Sequence, residues 1–524
     1  MKKITILALL ILIGGSLVFA GGSEEVKSVT TGTVARQGKT VYVGLSENLI
    51  SLDPLDQANI IGNMQANLVC EPLVWYNDDD GSYSPLLAES WDVSADGLTW
   101  RFYLRKGVKF HNGEDFTSAD CAITYQRVLD NKKTLRGPLS YWAELDSYKV
   151  IDDYTFEIKM ASPYATVLMS VWMTPILPDQ EFGKYGTKLW TEHKLIGTGP
   201  WMFQEWVDGQ YCAYNKNTNY WNKANYDSYY DKLVLRYITE PSTLVASHLT
   251  GDINVNIASG GINPDMLQLY KGSDDKIQMI SFPSGTYLYI GFSYKDGSPF
   301  RDENVRAAFN YAIDRQAIVK NILGGGKVPN SIIVEPCIGF NPDVPVFEYN
   351  PTKAEELLKK SSYKGQRIEL TCNTSTIKGE AILLAVSEML NKVGFNTYVS
   401  VVEVATLANV RATGDYDAFM VTNMHLANDP GTCLTFRILN DGHTSFYKDD
   451  KLLDLIKKSN VEVDVEKRTN LLKEVALEMN KQHGPHTPIA QVQLNYAADK
   501  GIYGMELYAS GWFNIKHINF DPNL

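Results

Sequence analysis

Apolar and polar positions follow two rhythms along this chain, one of period two and one of period near 3.6. The segment after Thr40, Val-Tyr-Val-Gly-Leu45, reads as a short buried strand, and Ser51-Leu-Asp-Pro54 turns because a residue before proline avoids the helical region. Leu98-Thr-Trp-Arg-Phe-Tyr-Leu104 alternates as a strand with one covered face does. Asp115 to Asp120 then offers capping side chains before Cys121 to Leu129, whose apolar positions recur at helical spacing. Further on, Val305, Phe309, Ala312, Ile313, Val319 and Ile322 predict one helix over 302–323, capped by Asp302 and stopped by Gly324-Gly-Gly326. Pro351 at a first helical position predicts a helix through Lys360. A strand at 368–371, an amphipathic helix at 380–393 and a strand at 396–402 follow. This alternation predicts an α/β unit from about 290 to 490, preceded by a region richer in strands and turns.

The N-terminus breaks both rhythms. Lys2 and Lys3 precede an uncharged apolar stretch from Ile4 to Leu17, and Val18-Phe19-Ala20 places small residues where a signal peptidase reads. A membrane anchor is the competing reading, but the polar run after Ala20 favours a cleaved signal peptide at 1–20. Residues 21–39 are rich in Gly, Ser, Thr and charge and read as a flexible tether. These features predict an exported, periplasmic or otherwise extracytoplasmic protein.

Composition narrows the function. The 524 residues carry a formal net charge of −12, which excludes the basic face a nucleic-acid binder needs. With 44% hydrophobic and 21% charged residues the chain is globular, with ample core. Six scattered cysteines, Cys70, Cys121, Cys212, Cys337, Cys372 and Cys433, have no metal-ligand spacing. Export permits disulfides, yet a core of this size does not require them.

A secreted hydrolase is the natural rival, and its signatures are missing. The chain has no G-x-S-x-G elbow and no H-E-x-x-H pair, and Gly324-Gly-Gly-Lys327 lacks the earlier glycine of a nucleotide loop. His483 and His486 flank Gly484-Pro485 in a turn and read as surface loop residues rather than zinc ligands. No catalytic residue, metal ligand or cofactor is expected.

Pro85-Leu-Leu-Ala-Glu-Ser-Trp91, Ala95 to Gly113 and Phe116-Thr-Ser-Ala-Asp120 resemble the signature block of the extracellular solute-binding proteins of the oligopeptide, dipeptide and nickel class. Gly197-Thr-Gly-Pro-Trp201, Asn217 to Trp221, Pro299-Phe-Arg301 with Ala312-Ile-Asp-Arg315, and Tyr349-Asn-Pro351 with Ala354 to Leu358 follow in family order. The resemblance covers about residues 40 to 500. It implies an α/β, two-lobed periplasmic-binding-protein-like fold with an extra subdomain inserted into lobe one. Lobe one is then expected at 40–285 plus 495–524, the inserted subdomain at 78–200 and lobe two at 290–490. The implied function is the substrate-binding component of an ABC importer, which closes on a small polar solute and delivers it to a membrane permease. No covalent step is needed, and ATP hydrolysis falls to a partner.

Seven residues are candidate ligand contacts. Tyr141 and Trp142, in the turn-rich 137–145 segment of the insertion, offer aromatic area to a cleft, with packing as the alternative. Ser284 to Phe292 resembles the family's first interlobe crossing, where alternation puts Tyr287 and Tyr289 on one side and Leu288 and Ile290 on the other. In Asn423-Met-His-Leu-Ala-Asn-Asp-Pro430, His425, Asn428 and Asp429 are the candidates. Peptide-binding relatives carry an aspartate just upstream of a matching Asp-Pro to hold the ligand ammonium. Here the acid is Asp429 itself, which also suits the opening of a turn. A peptide leads as ligand. Oligosaccharide is second, on aromatic residues without a firm ammonium anchor, and nickel or a metal chelate is third. A sensory binding subunit feeding a receptor uses the same cleft and is the alternative of another class.

Overall fold

A computed structural model describes residues 39–523, apart from 58–59, 79, 132–140, 193, 440–446, 448 and 482. The expected signal peptide and all but the last residue of the tether lie outside the described residues, as do residues 137–140 of the segment holding Tyr141 and Trp142.

Two large apolar cores organise the chain. One draws on residues from Val41 to Ile257 and from Leu494 to Ile518, with Ala427 reaching in from outside. The other runs from Tyr287 to Val492. A single ten-stranded sheet passes through both, in the order Asn396–Val402, Arg367–Asn373, Ala418–Met424, Ile277–Phe292, His486–Asp499, Val255–Ile257, Thr40–Leu45, Lys232–Tyr237, Tyr211–Lys216, Trp201–Val207. The two long central strands, Ile277–Phe292 and His486–Asp499, pair antiparallel and belong to both halves. They are the crossing strands, and each half is one lobe.

Their ladder breaks where the cores part. Register shifts between Pro283 and Tyr287; proline has no N–H to give the ladder, and an unpaired residue bends a strand. Side chains mend the gap. Gln491 Nε2 donates to the Ser284 carbonyl at 2.7 Å and Ser284 Oγ donates to the Val492 carbonyl at 2.7 Å. Register shifts again between Leu288 and Tyr289, and a ladder so interrupted can bend there without unpairing either lobe.

A separate four-stranded antiparallel sheet, ordered Ala88–Val93, Thr99–Leu104, Thr155–Met160, Leu145–Asp152, stands on lobe one and shares its core through Phe102, Phe156 and Ile158. The resembling blocks nearby are packing devices. Glu71, almost fully buried, accepts from Thr198 Oγ1, Tyr220 Oη and Trp221 Nε1 at 3.0, 2.7 and 2.8 Å. A Cβ on Gly197 would stand 2.0 Å from the Val69 carbonyl oxygen, so only glycine lets this loop lie there.

Two sequence expectations need correction. The single helix expected over 302–323 is two, Glu303–Ala312 and Arg315–Asn321. Asp314 ends the first by capping the second, accepting from Ala317 N at 2.9 Å. The buried Arg315 guanidinium then ties both to the second crossing strand, donating to the Pro488 carbonyl and to Thr487 Oγ1. Burial pushes its pKa down to about 9. His486 is no surface residue: it is buried in that strand, its ring 4.7 Å from Tyr289. All six cysteines are unbridged, and five are buried.

Candidate functional site

The lobes meet in two places, a packed seam and an open cavity. The seam gathers most of the sequence-derived candidates around the segment 423–433. The Asn423 amide donates to Tyr287 Oη at 2.7 Å, and His425, fully buried, stacks on the Tyr287 ring at 4.8 Å. Burial pushes the His425 pKa down, but Cys433, the Ile332 carbonyl and Asp429 outweigh it and the net direction is upward. Tyr289 lies deeper, between Phe419 and His486. Alternation was expected to turn one pair of this strand to the cleft; instead Tyr287, Leu288, Tyr289 and Ile290 are all buried.

Asp429 has a structural partner. Its carboxylate takes both terminal nitrogens of the Arg468 guanidinium, one at 2.8 Å, and accepts from Gly431 N at 2.8 Å. Burial works against the charge on Arg468, and Asp429 more than restores it. The carboxylate therefore caps a turn and holds a buried cation, and three accepted hydrogen bonds are already committed to the protein. Tyr83 from lobe one lies within electrostatic reach of this pair, its pKa driven up first by burial and then by Asp429.

Asn428 joins the lobes directly. Its amide donates to Asp78 Oδ1 at 2.7 Å, while Asp78 Oδ2 accepts from Ala509 N at 2.8 Å. Ala427 and Asn428 both have φ of 50, a left-handed stretch that aims the amide across the gap. Tyr141 is half-buried, its pKa pushed up to about 12 by burial and then by Cys433 of the other lobe. Trp142 is not a cleft residue. It is fully buried against Tyr125, and its Nε1 donates to Thr174 Oγ1 at 2.8 Å.

None of these seven residues lines the cavity, which has a volume of about 370 Å³. Lobe one supplies Ser46, Asn256, the turn 258–264 and the apolar side chains of Leu244, Val245, Met266 and Leu267. Lobe two supplies Leu323, Gly324, Gly325, Ile377 and Lys378, and the second crossing strand contributes Val492, Gln493 and Asn495. The wall is largely apolar with a few polar groups, as small-molecule sites are. Gly326 makes one side possible: its φ is 109, and a Cβ there would stand 2.3 Å from the Gln491 carbonyl oxygen.

Lys378 is the cation of this cavity. It forms the N-cap of the 14-residue helix Gly379–Lys392, which has no side-chain cap, so first-turn N–H groups face the same end. Its ammonium pairs with Asp265 of lobe one, across the gap between the lobes. Sequence reading missed Lys378 and Asn256. The first sits just before the predicted helix start at 380, and the second carried no signal beyond a polar residue among apolar neighbours.

This geometry, two lobes on two shared strands with a solute-sized cavity beside the bend, defines a hinged binding protein. Residues 82–442 match the model of the bacterial extracellular solute-binding proteins, family 5 Middle, and the chain belongs to that family. It is a solute-binding protein of the class that serves ABC importers. The glutathione-binding protein GsiB of Salmonella choleraesuis is 26% identical over 372 residues, 70% of either chain. Heme-binding protein A of Haemophilus influenzae is 29% identical over 324 residues, 57% of this chain and 58% of that one. Among solved structures, HbpA2 from Haemophilus parasuis superposes with a TM-score of 0.82 at 22% identity, covering 92% of this chain and all of the other. The oligopeptide-binding protein AppA from Bacillus subtilis, in complex with a nonapeptide, gives 0.71 at 23%, covering 93% and 99%. No helix among the described residues is long and apolar enough to cross a membrane, and no cluster of three or more metal-ligating side chains occurs among them.

Proposed function

We propose that this protein captures a short peptide in the 370 Å³ cavity between its lobes and delivers it, unchanged, to the membrane permease of an ABC importer. The observation that carries the reading is Lys378: a cation at an uncapped helix N-terminus, on the wall of an otherwise mostly apolar interlobe cavity. Its ammonium has three donors, one of them committed to Asp265. The remaining donors and the helix end suit the carboxylate of a peptide, while the apolar wall suits its side chains. A ligand that touches both lobes binds the closed form better than the open one and shifts the hinge by that difference. The family consists of binding components, and the names of relatives, glutathione-binding and oligopeptide-binding among them, agree with a peptide-class solute.

No aromatic ring lines the cavity among the described residues, which removes the stacking platform on which the oligosaccharide alternative rested. Export by a cleaved signal peptide places this capture outside the cytoplasmic membrane, where the permease receives it. The candidates of the 423–433 segment form the closing seam in this reading. Thermal-shift screening of the full chain against tripeptide, oligosaccharide and metal-chelate panels tests it, since a ligand of the native state raises Tm with occupancy. Shifts confined to tripeptides are expected; shifts from oligosaccharides alone would overturn the peptide assignment.

A further inference from the structure

We infer that Asn256 is a specificity-determining residue of the cavity, whose Oδ1 accepts a hydrogen bond from an N–H of the captured solute, and that Tyr270, His248 and Asp499 are positioning residues that hold its amide in that orientation. The inference rests on the peptide reading above and names the polar contact within it.

Asn256 stands in the middle of Val255–Ile257, inside the ten-stranded sheet, paired with Gly44 on one side and Ala497 on the other. Its neighbours Val255 and Ile257 face the core of lobe one. Alternation turns Asn256 to the opposite face, where it lines the cavity. The residue is fully buried, and its two amide atoms fare differently. Nδ2 donates to Tyr270 Oη at 2.9 Å, whereas Oδ1 has no partner among the described residues. A buried acceptor left unsatisfied is costly, so one persists where a ligand or a water supplies the donor.

The orientation is fixed from behind. Tyr270 Oη lies 3.1 Å from His248 Nδ1, and His248 Nε2 lies 3.4 Å from Asp499 Oδ1. Asp499 is itself held, with Oδ2 accepting from the Asn254 amide at 3.0 Å. A carboxylate can only accept, so a ring proton facing Asp499 sits on Nε2, where the approach falls short of hydrogen-bond geometry, and Nδ1 is then the acceptor. Tyr270 then donates to His248 and accepts from Asn256. Every donor in this chain points away from the cavity, and a flipped amide would set Oδ1 against a hydroxyl whose proton is already committed. Asn256 therefore offers the cavity an acceptor and discriminates in favour of solutes with an N–H.

Isothermal titration of the full chain with trialanine and its two ester-for-amide analogues, each lacking one N–H, tests this. For the wild type, one analogue is expected to bind about tenfold more weakly than trialanine. In Asn256→Ala both peptide and ester bind weakly and alike, so the ratio collapses toward one. In Tyr270→Phe the amide is free to turn and present Nδ2 to the ester oxygen, so the ratio falls even where overall affinity holds. A ratio within one variant is insensitive to partial loss of folded protein, which a purely structural role for Tyr270 would leave unmoved. An unchanged preference in Asn256→Ala, or ester and amide bound equally by the wild type, overturns the inference while leaving the peptide reading intact. Absence of any trialanine binding to the wild type overturns both.

Discussion

The seam and the cavity lie between the same two lobes and are built on opposite principles. At the seam polar side chains tie the protein to itself, Asp429 with Arg468, Asn428 with Asp78 and Asn423 with Tyr287, although Asn428 Oδ1 has no hydrogen-bond partner among the described residues. In the cavity polar groups are few, and one of them, Asn256 Oδ1, is left without a partner. Bonds across the gap hold a shape, and what sets Asn256 apart from Asn428 is its place on the wall of a cavity. The lesson is that neither residue chemistry nor a missing partner separates the two; the free volume alongside does.

The largest expected effect breaks the comparison at the seam. Asp429→Ala leaves the Arg468 guanidinium, 6% exposed, buried without its carboxylate, and should cost about 3–5 kcal/mol of stability. Denaturant titration checks it. Tripeptide affinity of the folded fraction should stay near the wild-type value, and an affinity collapse with stability intact would make the seam a binding site after all. Next comes the cavity: Lys378→Gln should lower affinity for carboxylate-bearing peptides by about 1.5–3 kcal/mol, the worth of a charge-assisted bond. Its effect on the melting temperature should be small, because the Asp265 side of the pair is 62% exposed.

A smaller effect concerns closure. Asp78→Ala removes the acceptor shared by Asn428 and Ala509, and about 1 kcal/mol of closed-state preference should go with it. Small-angle scattering of the unliganded protein should then report a larger radius of gyration. The smallest lies away from both regions. Burial pushes His111 from its ordinary 6.5 down to about 4. As pH falls, the unfolded chain takes this proton first, so the contribution is complete above pH 6.5 and is lost between 6.5 and 4. His111→Gln should therefore flatten the pH dependence of the denaturation midpoint in that window.

Much of the lobe two skeleton was legible because its helices and strands carry their own punctuation. Pro351 opened a helix where it was expected, and the strand at 396–402 and the helix near 380–393 stand within a residue of their predicted bounds. The break at Asp314 was missed because apolar spacing ran on across it, and only the cap's hydrogen bond reveals it. At the site, aromatic and acidic residues drew attention because their chemistry is rich, yet Trp142 and Asp429 spend theirs on Thr174 and Arg468. Lys378 and Asn256 looked ordinary. The lysine's importance comes from Asp265, 113 residues away, and the asparagine's from Tyr270 and from the cavity its strand borders, and local patterning carries no record of those.

The central claim is that a small solute is held, intact, in the space beside the crossing strands. Equilibrium dialysis of wild type and Ala258→Trp against a tripeptide mixture, with mass spectrometry of what each releases on denaturation, tests it directly. Intact peptide, about one per chain, is expected from the wild type, and almost none from Ala258→Trp, whose indole fills the cavity. Cleaved peptides, or equal loading of the two proteins, would contradict the account.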